Sequence, residues 1–104
     1  MARHARIRPT RLAKKLRQIR VALDLSQSEL LKHLGLDKVM DYRRISEFEL
    51  GTTEPPLWVL LQYARAAGVP LEGIVDDELD LPENLLRHVG QGIKRNDASE
   101  KTRQ

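Results

Sequence analysis

From Leu12 onward the apolar residues fall at Leu12, Leu16, Ile19 and Leu23. That i, i+4, i+7, i+11 spacing lines one face of a helix, and Thr10 stands where its N-cap is expected. Asp24 and Leu25 break the repeat. Ser26-Gln27-Ser28-Glu29 then spells a capping box, in which a serine hydroxyl and a glutamate carboxylate satisfy each other's backbone amides. Leu25 before the cap and Leu30 inside it fit a hydrophobic staple. A second helix follows through Leu30, Leu31 and Leu34, with Gly35 as its left-handed stop. Beyond a connector from Leu36 to Met40, Asp41 is placed to cap a third helix over Tyr42 to Leu50, with Ile45 and Phe48 inward and Gly51 ending it. The loop Thr52-Thr53-Glu54-Pro55-Pro56 leads into a fourth helix, whose inward positions are Leu57, Leu60, Leu61, Ala64 and Ala67 and whose stop is Gly68. A short fifth helix, Pro70 to about Val75, turns Ile74 and Val75 inward. Leu85, Leu86 and Val89 fit one more amphipathic turn, after which the chain becomes polar. No stretch alternates with period two and nothing repeats. The expected class is all-α, with five helices.

Charge changes this picture more than composition does. The 104 residues carry a net charge of only +3, yet residues 1–23 hold eight Lys/Arg and no acid, while residues 72–83 hold six acids and no base. A basic end suits a polyanion such as nucleic acid, although a solvated arm has the same composition. The run Asp76-Asp77-Glu78 lacks the glycine and ligand spacing of a calcium loop and reads as an exposed acidic patch that keeps non-specific DNA off that face.

Catalysis finds no support. With no cysteine there is no disulfide, thiol nucleophile or Cys-ligated zinc site. His4, His33 and His88 are scattered, and neither a G-x-S-x-G elbow nor a phosphate-binding P-loop occurs. No metal and no cofactor are expected, and the chain is expected not to be an enzyme. The longest uncharged stretch, Pro55 to Ala64, is too short to cross a bilayer. The basic N-terminus lacks the apolar block of a secretory signal. A cytoplasmic protein without membrane contact is expected.

Three runs narrow the fold. The stretch from Leu16 to Gly35, with Arg20, Ser26-Gln27, Leu30 and Leu34-Gly35 in place, resembles the first two helices of the lambda-repressor-like (phage repressor and Cro) helix-turn-helix family. Ile45-Ser46-Glu47-Phe48-Glu49-Leu50-Gly51, followed by Glu54-Pro55, resembles its third helix and exit loop. Leu60-Leu61-Gln62-Tyr63-Ala64-Arg65-Ala66-Ala67-Gly68-Val69-Pro70-Leu71 resembles the fourth helix and the start of the fifth. The resemblance covers about residues 10–76. With the charge and composition read above, the expected organisation is a basic arm over 1–9, a DNA-binding domain over 10–82 and a partly disordered tail over 83–104. Gly35 and Gly51 are sixteen residues apart, longer than the family's usual spacing, and the extra residues are placed at Leu36 to Val39. Leu31 stands where the family favours alanine.

The resemblance also implies roles. Helix three enters the major groove, where base edges can be told apart, and helix two lies across the backbone. Base reading falls to Tyr42, Arg43, Arg44 and Glu47. Either arginine can fork onto guanine O6 and N7. Glu47 can accept from cytosine or orient a neighbouring arginine. Phosphate contacts fall to Gln27 and Ser28 at the start of helix two, to Thr52 and Thr53, and to Arg11. The arm residues Arg3, Arg6 and Arg8 follow a minor groove or the backbone. Arg20 and Glu49 match an ion pair joining helix one to helix three. Trp58 and Val69, or the Leu85-Leu86-Val89 segment, are candidates for the interface of a two-fold homodimer on an inverted repeat in double-stranded DNA. The resulting expectation is a sequence-specific transcriptional regulator, a repressor or autoregulator. The alternatives are an antitoxin that holds a protein partner through its C-terminal tail, and a protein-interaction module of the same fold.

Overall fold

The computed structural model describes residues 9–85, and all regular secondary structure among them is helical. α1 spans Leu12–Ala22, α2 Gln27–His33, α3 Arg43–Leu50, α4 Leu57–Ala67 and α5 Leu71–Val75. α1 is the central element: it packs against α3, α4 and α5, while α2 packs against α3. The core draws on every helix and also takes Leu81 and Leu85, so the packed unit runs to the end of the described residues. Leu86 and Val89 lie outside them.

α1 buries Leu12, Leu16 and Ile19 as its spacing predicts. Its start differs from expectation. Thr10 does not cap it, and Arg11 holds the N-cap position with no side-chain cap bond. The capping group is Asp77. Its Oδ2 accepts the Thr10 amide at 2.8 Å and the Thr10 hydroxyl at 2.9 Å. Its Oδ1 accepts the Arg11 amide at 3.0 Å. A carboxylate 66 residues away thus does what a cap residue usually does locally.

Lys15 explains why that carboxylate arrives there. It lies on the apolar face of α1 and is only 1% exposed. Its Nζ donates to the carbonyls of Gly73 (2.9 Å), Asp76 (2.8 Å) and Leu79 (2.6 Å). Those three bonds use all three donors of an ammonium. Burial, with the Arg11 charge beside it, pulls this ammonium below its ordinary pKa, against the opposing pull of Asp77, Asp80 and Asp76. Arg11 reinforces the same loop: its guanidinium donates to the Asp77 carbonyl at 2.7 Å, to the Leu79 carbonyl at 3.2 Å and to the Asp80 carboxylate. The acidic run is therefore not an idle exposed patch. The carboxylates of Asp77 and Asp80 and the carbonyls of Asp76, Asp77 and Leu79 bind the chain after α5 onto the first turns of α1.

The amides of Thr10 and Arg11 hold the Asp77 carboxyl below the usual carboxylate range, and the Arg11 side chain does the same for Asp80. A carboxyl depressed in the fold contributes stability above its unfolded pKa and loses it as pH falls through the folded value. The melting temperature should therefore drop as pH is lowered below about 4. Asp77→Ala should lower the melting temperature at neutral pH and flatten this acid limb, as read from thermal melts between neutral and strongly acidic pH. A variant with the wild-type acid profile would show that the cap carries no such weight.

α2 begins with the expected capping box. The Glu29 amide donates to Ser26 Oγ at 3.1 Å, and the Ser26 amide donates to Glu29 Oε1 at 2.8 Å. It ends at Gly35, whose φ of +75° lets the Leu36 amide reach back to the Leu31 carbonyl at 3.0 Å. This drives Leu36 into the core. Asp37, Lys38 and Val39 stay exposed, and Met40 returns half-buried. The lengthened connector is thus one turn pinned by an inward leucine, with the Val39 and Met40 amides both donating to the Leu36 carbonyl.

α3 starts at Arg43, one residue later than expected; Tyr42 holds the N-cap position without a side-chain cap bond, and Asp41, one residue before it, accepts the Arg43 amide at 2.9 Å. α4 corrects the expected inward set. Val59, Leu60, Tyr63 and Ala64 are buried, whereas Leu57 is 68% exposed and Leu61 also faces outward. The segment is apolar nearly all round, so its leucines did not mark the inner face. α5 buries Ile74 as expected and leaves Val75 half-buried.

Candidate nucleic-acid interface

The resemblance assigns α2 and α3 to DNA, and a buried polar cluster fixes their relation to α1. Arg20 donates from Nε to Glu49 Oε2 at 2.7 Å and from a terminal nitrogen to Oε1 at 3.1 Å. The two side chains are only 16% and 5% exposed. This is a bidentate pair in a largely dry setting, where such geometry is strongest. Arg20 also donates to the Leu25 carbonyl at 3.0 Å, and Gln27 Nε2 donates to Glu49 Oε1 at 3.3 Å. The Glu49 carboxylate on α3 therefore joins α1 to the first residue of α2, while Arg20 itself holds the turn between them. The Tyr63 hydroxyl is buried without a hydrogen-bond partner among the described residues. Burial, helped by the Glu49 charge, pushes its pKa up, so it stays protonated.

Ile45 and Phe48 anchor α3 from behind, at 0% and 1% exposure. The opposite side carries Tyr42, Arg43 and Arg44, all exposed, and half-buried Glu47. Arg43 is not a free chain. Its Nε donates to Asp41 Oδ1 at 3.2 Å and a terminal nitrogen donates to Oδ2 at 3.1 Å. These bonds and the Arg43 amide hold the Asp41 carboxyl below its ordinary pKa. Glu47 does not form a hydrogen bond with either arginine. It turns toward the exit loop and accepts the Thr53 hydroxyl at 3.4 Å, while the Thr52 hydroxyl donates to the Glu47 carbonyl at 3.3 Å. The loop is thereby tied to the last turns of α3, and both threonines keep oxygen lone pairs rather than protons for other partners. Ser28 is exposed, its hydroxyl 3.4 Å from that of Ser26. Gln27 is half-buried, with one amide N–H still unused by its bond to Glu49.

Two expected site residues have partners within the domain. Arg11 holds the loop after α5 through both terminal nitrogens, while its side chain stays 41% exposed. Val69 is buried at 8% exposure and forms part of the core, so it cannot line a contact between copies; its amide completes the α4 stop by donating to Ala64. Trp58 is 49% exposed and stands beside Leu57 and Leu61 on the outer face of α4. Arg3, Arg6 and Arg8 lie outside the described residues.

Sequence reasoning missed Asp41 as a partner of Arg43 and Lys15 as a core residue. Lys15 had a visible signal: it sits three residues after Leu12 and four before Ile19, on the face that the leucines define. Asp41 had one too, since an aspartate two residues before an arginine at a helix start can serve the amide and the guanidinium together. Among the described residues no group of three or more His, Asp or Glu is placed to hold a metal ion, and no helix is long and apolar enough to cross a membrane.

No curated protein and no solved structure gives a significant match to the chain. A family model described as helix-turn-helix matches residues 16–74, from the middle of α1 to the end of α5. That span is more than half of the chain and contains the capping box, the three glycine stops and the Arg20–Glu49 pair. With the all-helical architecture, it establishes that the chain belongs to the lambda-repressor-like helix-turn-helix family, a family of DNA-binding regulators.

Proposed function

We propose that this protein is a sequence-specific regulator of transcription, a repressor or autoregulator in the cytoplasm, with no catalytic activity of its own. It reads the major groove of double-stranded DNA through Tyr42, Arg43, Arg44 and Glu47, and it holds the backbone through Gln27 and Ser28, and through Thr52 and Thr53 once their hydroxyls rotate from Glu47 to donate to phosphate. The observation that carries this reading is the exposed arginine face of α3, backed by buried Ile45 and Phe48. A helix held rigidly from behind with its guanidinium groups in solvent can enter a groove without rearranging the core. The second N–H of the Gln27 amide suits a phosphate oxygen, which only accepts. Arg3, Arg6 and Arg8 add backbone attraction, each neutralised phosphate steepening the salt dependence by about 0.9 in log–log slope.

The protein acts as a homodimer, with the outer face of α4 as its self-contact. Leu57, Trp58 and Leu61 lie within one helical arc and are exposed, and a two-fold contact needs a patch that complements itself. Selection of bound fragments from random DNA tests both parts. A recovered inverted repeat is the expected result. A single unrepeated site would remove the dimer, and failure to retain any sequence at low salt would remove DNA reading altogether.

A further inference from the structure

We infer that Asp41 is a positioning residue for base reading, gripping one edge of the Arg43 guanidinium so that the opposite edge is presented to O6 and N7 of a guanine. This rests on the DNA-reading face proposed above and deepens it by naming the base and the group that orients its reader.

A guanidinium has five N–H donors on a rigid planar fork. Asp41 takes the side edge, with Nε on one carboxylate oxygen and a terminal nitrogen on the other, at 3.2 and 3.1 Å. Two contacts to one carboxylate fix the plane as well as the position. The edge left over carries one N–H from each terminal nitrogen, parallel and spaced for two acceptors. In the major groove guanine alone offers two acceptors side by side, O6 and N7.

Asp41 is itself held in place. Its Oδ1 also accepts the Arg43 amide at 2.9 Å, so the carboxylate is bound to the backbone of the first residue of α3. With the two side chains 75% and 50% exposed, these contacts bias the arginine toward one orientation over α3 rather than lock it, and less freedom is lost when it meets a base. Glu47, the other carboxylate on this face, is turned to Thr53 and cannot perform this task. The Asp41 carboxyl, kept ionised by the same contacts, stays an acceptor at any ordinary pH. Its negative charge near DNA also weakens attraction to phosphates without regard to sequence, so the cost falls on non-specific binding while the benefit falls on one base pair.

The test is a set of affinity measurements on a selected site and on variants of that site with each G·C pair replaced in turn. Wild type should lose about tenfold or more at one G·C pair per half-site. Arg43→Ala should remove discrimination at that pair alone. Asp41→Asn keeps a side-chain oxygen that can accept the Arg43 amide and removes the charge. It should reduce discrimination at the same pair to about threefold or less, leave the other pairs unchanged and raise affinity for random DNA. Asp41→Ser, which also offers an uncharged side-chain oxygen, should behave alike, and circular dichroism should report intact helix in all. Wild-type discrimination at every pair in both Asp41 variants, or a gain of affinity that is equal on all sequences, overturns the role of Asp41 while leaving DNA reading in place. Arg43→Ala with unchanged selectivity overturns it as well. A wild-type protein that selects no sequence overturns the DNA-reading face and this inference together.

Discussion

Ile45→Asp should unfold the domain outright. Ile45 is wholly buried on α3, the helix that packs against both α1 and α2. An unpaired charge in such a place costs several kcal/mol even after relaxation. A domain of this size has a total stability of only about 5–10 kcal/mol. The variant should therefore lose helical circular dichroism and show no cooperative melt. Ile45→Val is the control: it keeps the shape and removes one methylene, so it should cost about 0.5–1.5 kcal/mol and still melt cooperatively. A folded Ile45→Asp that still retains DNA would mean that α3 presents its other side to the groove, and the roles of Arg43 and Arg44 would fall with it.

The same helix shows why parts of this fold were legible in the sequence. Ile45 and Phe48 lie one turn apart in a helix whose only other apolar residue is its last, Leu50, so one face was marked as inward. The capping box at Ser26 and the glycines at 35, 51 and 68 are local signals whose physics is complete within a few residues, and each appears where it was expected. α4 failed for the converse reason. Leu57, Trp58, Val59, Leu60 and Leu61 are all apolar, and a helix that is apolar all round carries no periodic mark of its inner face. Contacts between distant residues were equally hidden. Nothing near Thr10 announces that Asp77 will cap α1, and an arginine-rich start beside an acid-rich end reads as two charge patches rather than as one joint. Lys15 was obscured by residue type, since lysine is almost never fully buried; here three carbonyls compensate it. The Arg20–Glu49 pair came from family resemblance and not from spacing, because no local rule links residues 29 apart.

Replacing both arginines tests the site without touching the core. Arg43→Ala with Arg44→Ala removes two exposed side chains from α3. Asp41 can still accept the backbone amide at position 43, which alanine retains, and alanine is the stronger helix former. Circular dichroism and melting temperature should thus stay close to wild type. DNA selection should not. If each arginine makes a two-acceptor contact to a base edge, each loss removes about 1–3 kcal/mol of discrimination. The pair together should then lower affinity for the selected site by about 100-fold or more while random DNA is retained far better, because α3 would lose readers more than phosphate contacts. The salt dependence separates the two possibilities. Base readers leave the log–log slope nearly unchanged, whereas phosphate contacts flatten it by about 0.9 for each one lost. A parallel fall on selected and random DNA, with a flattened slope, would assign these arginines to the backbone and leave base reading to Tyr42 and Glu47.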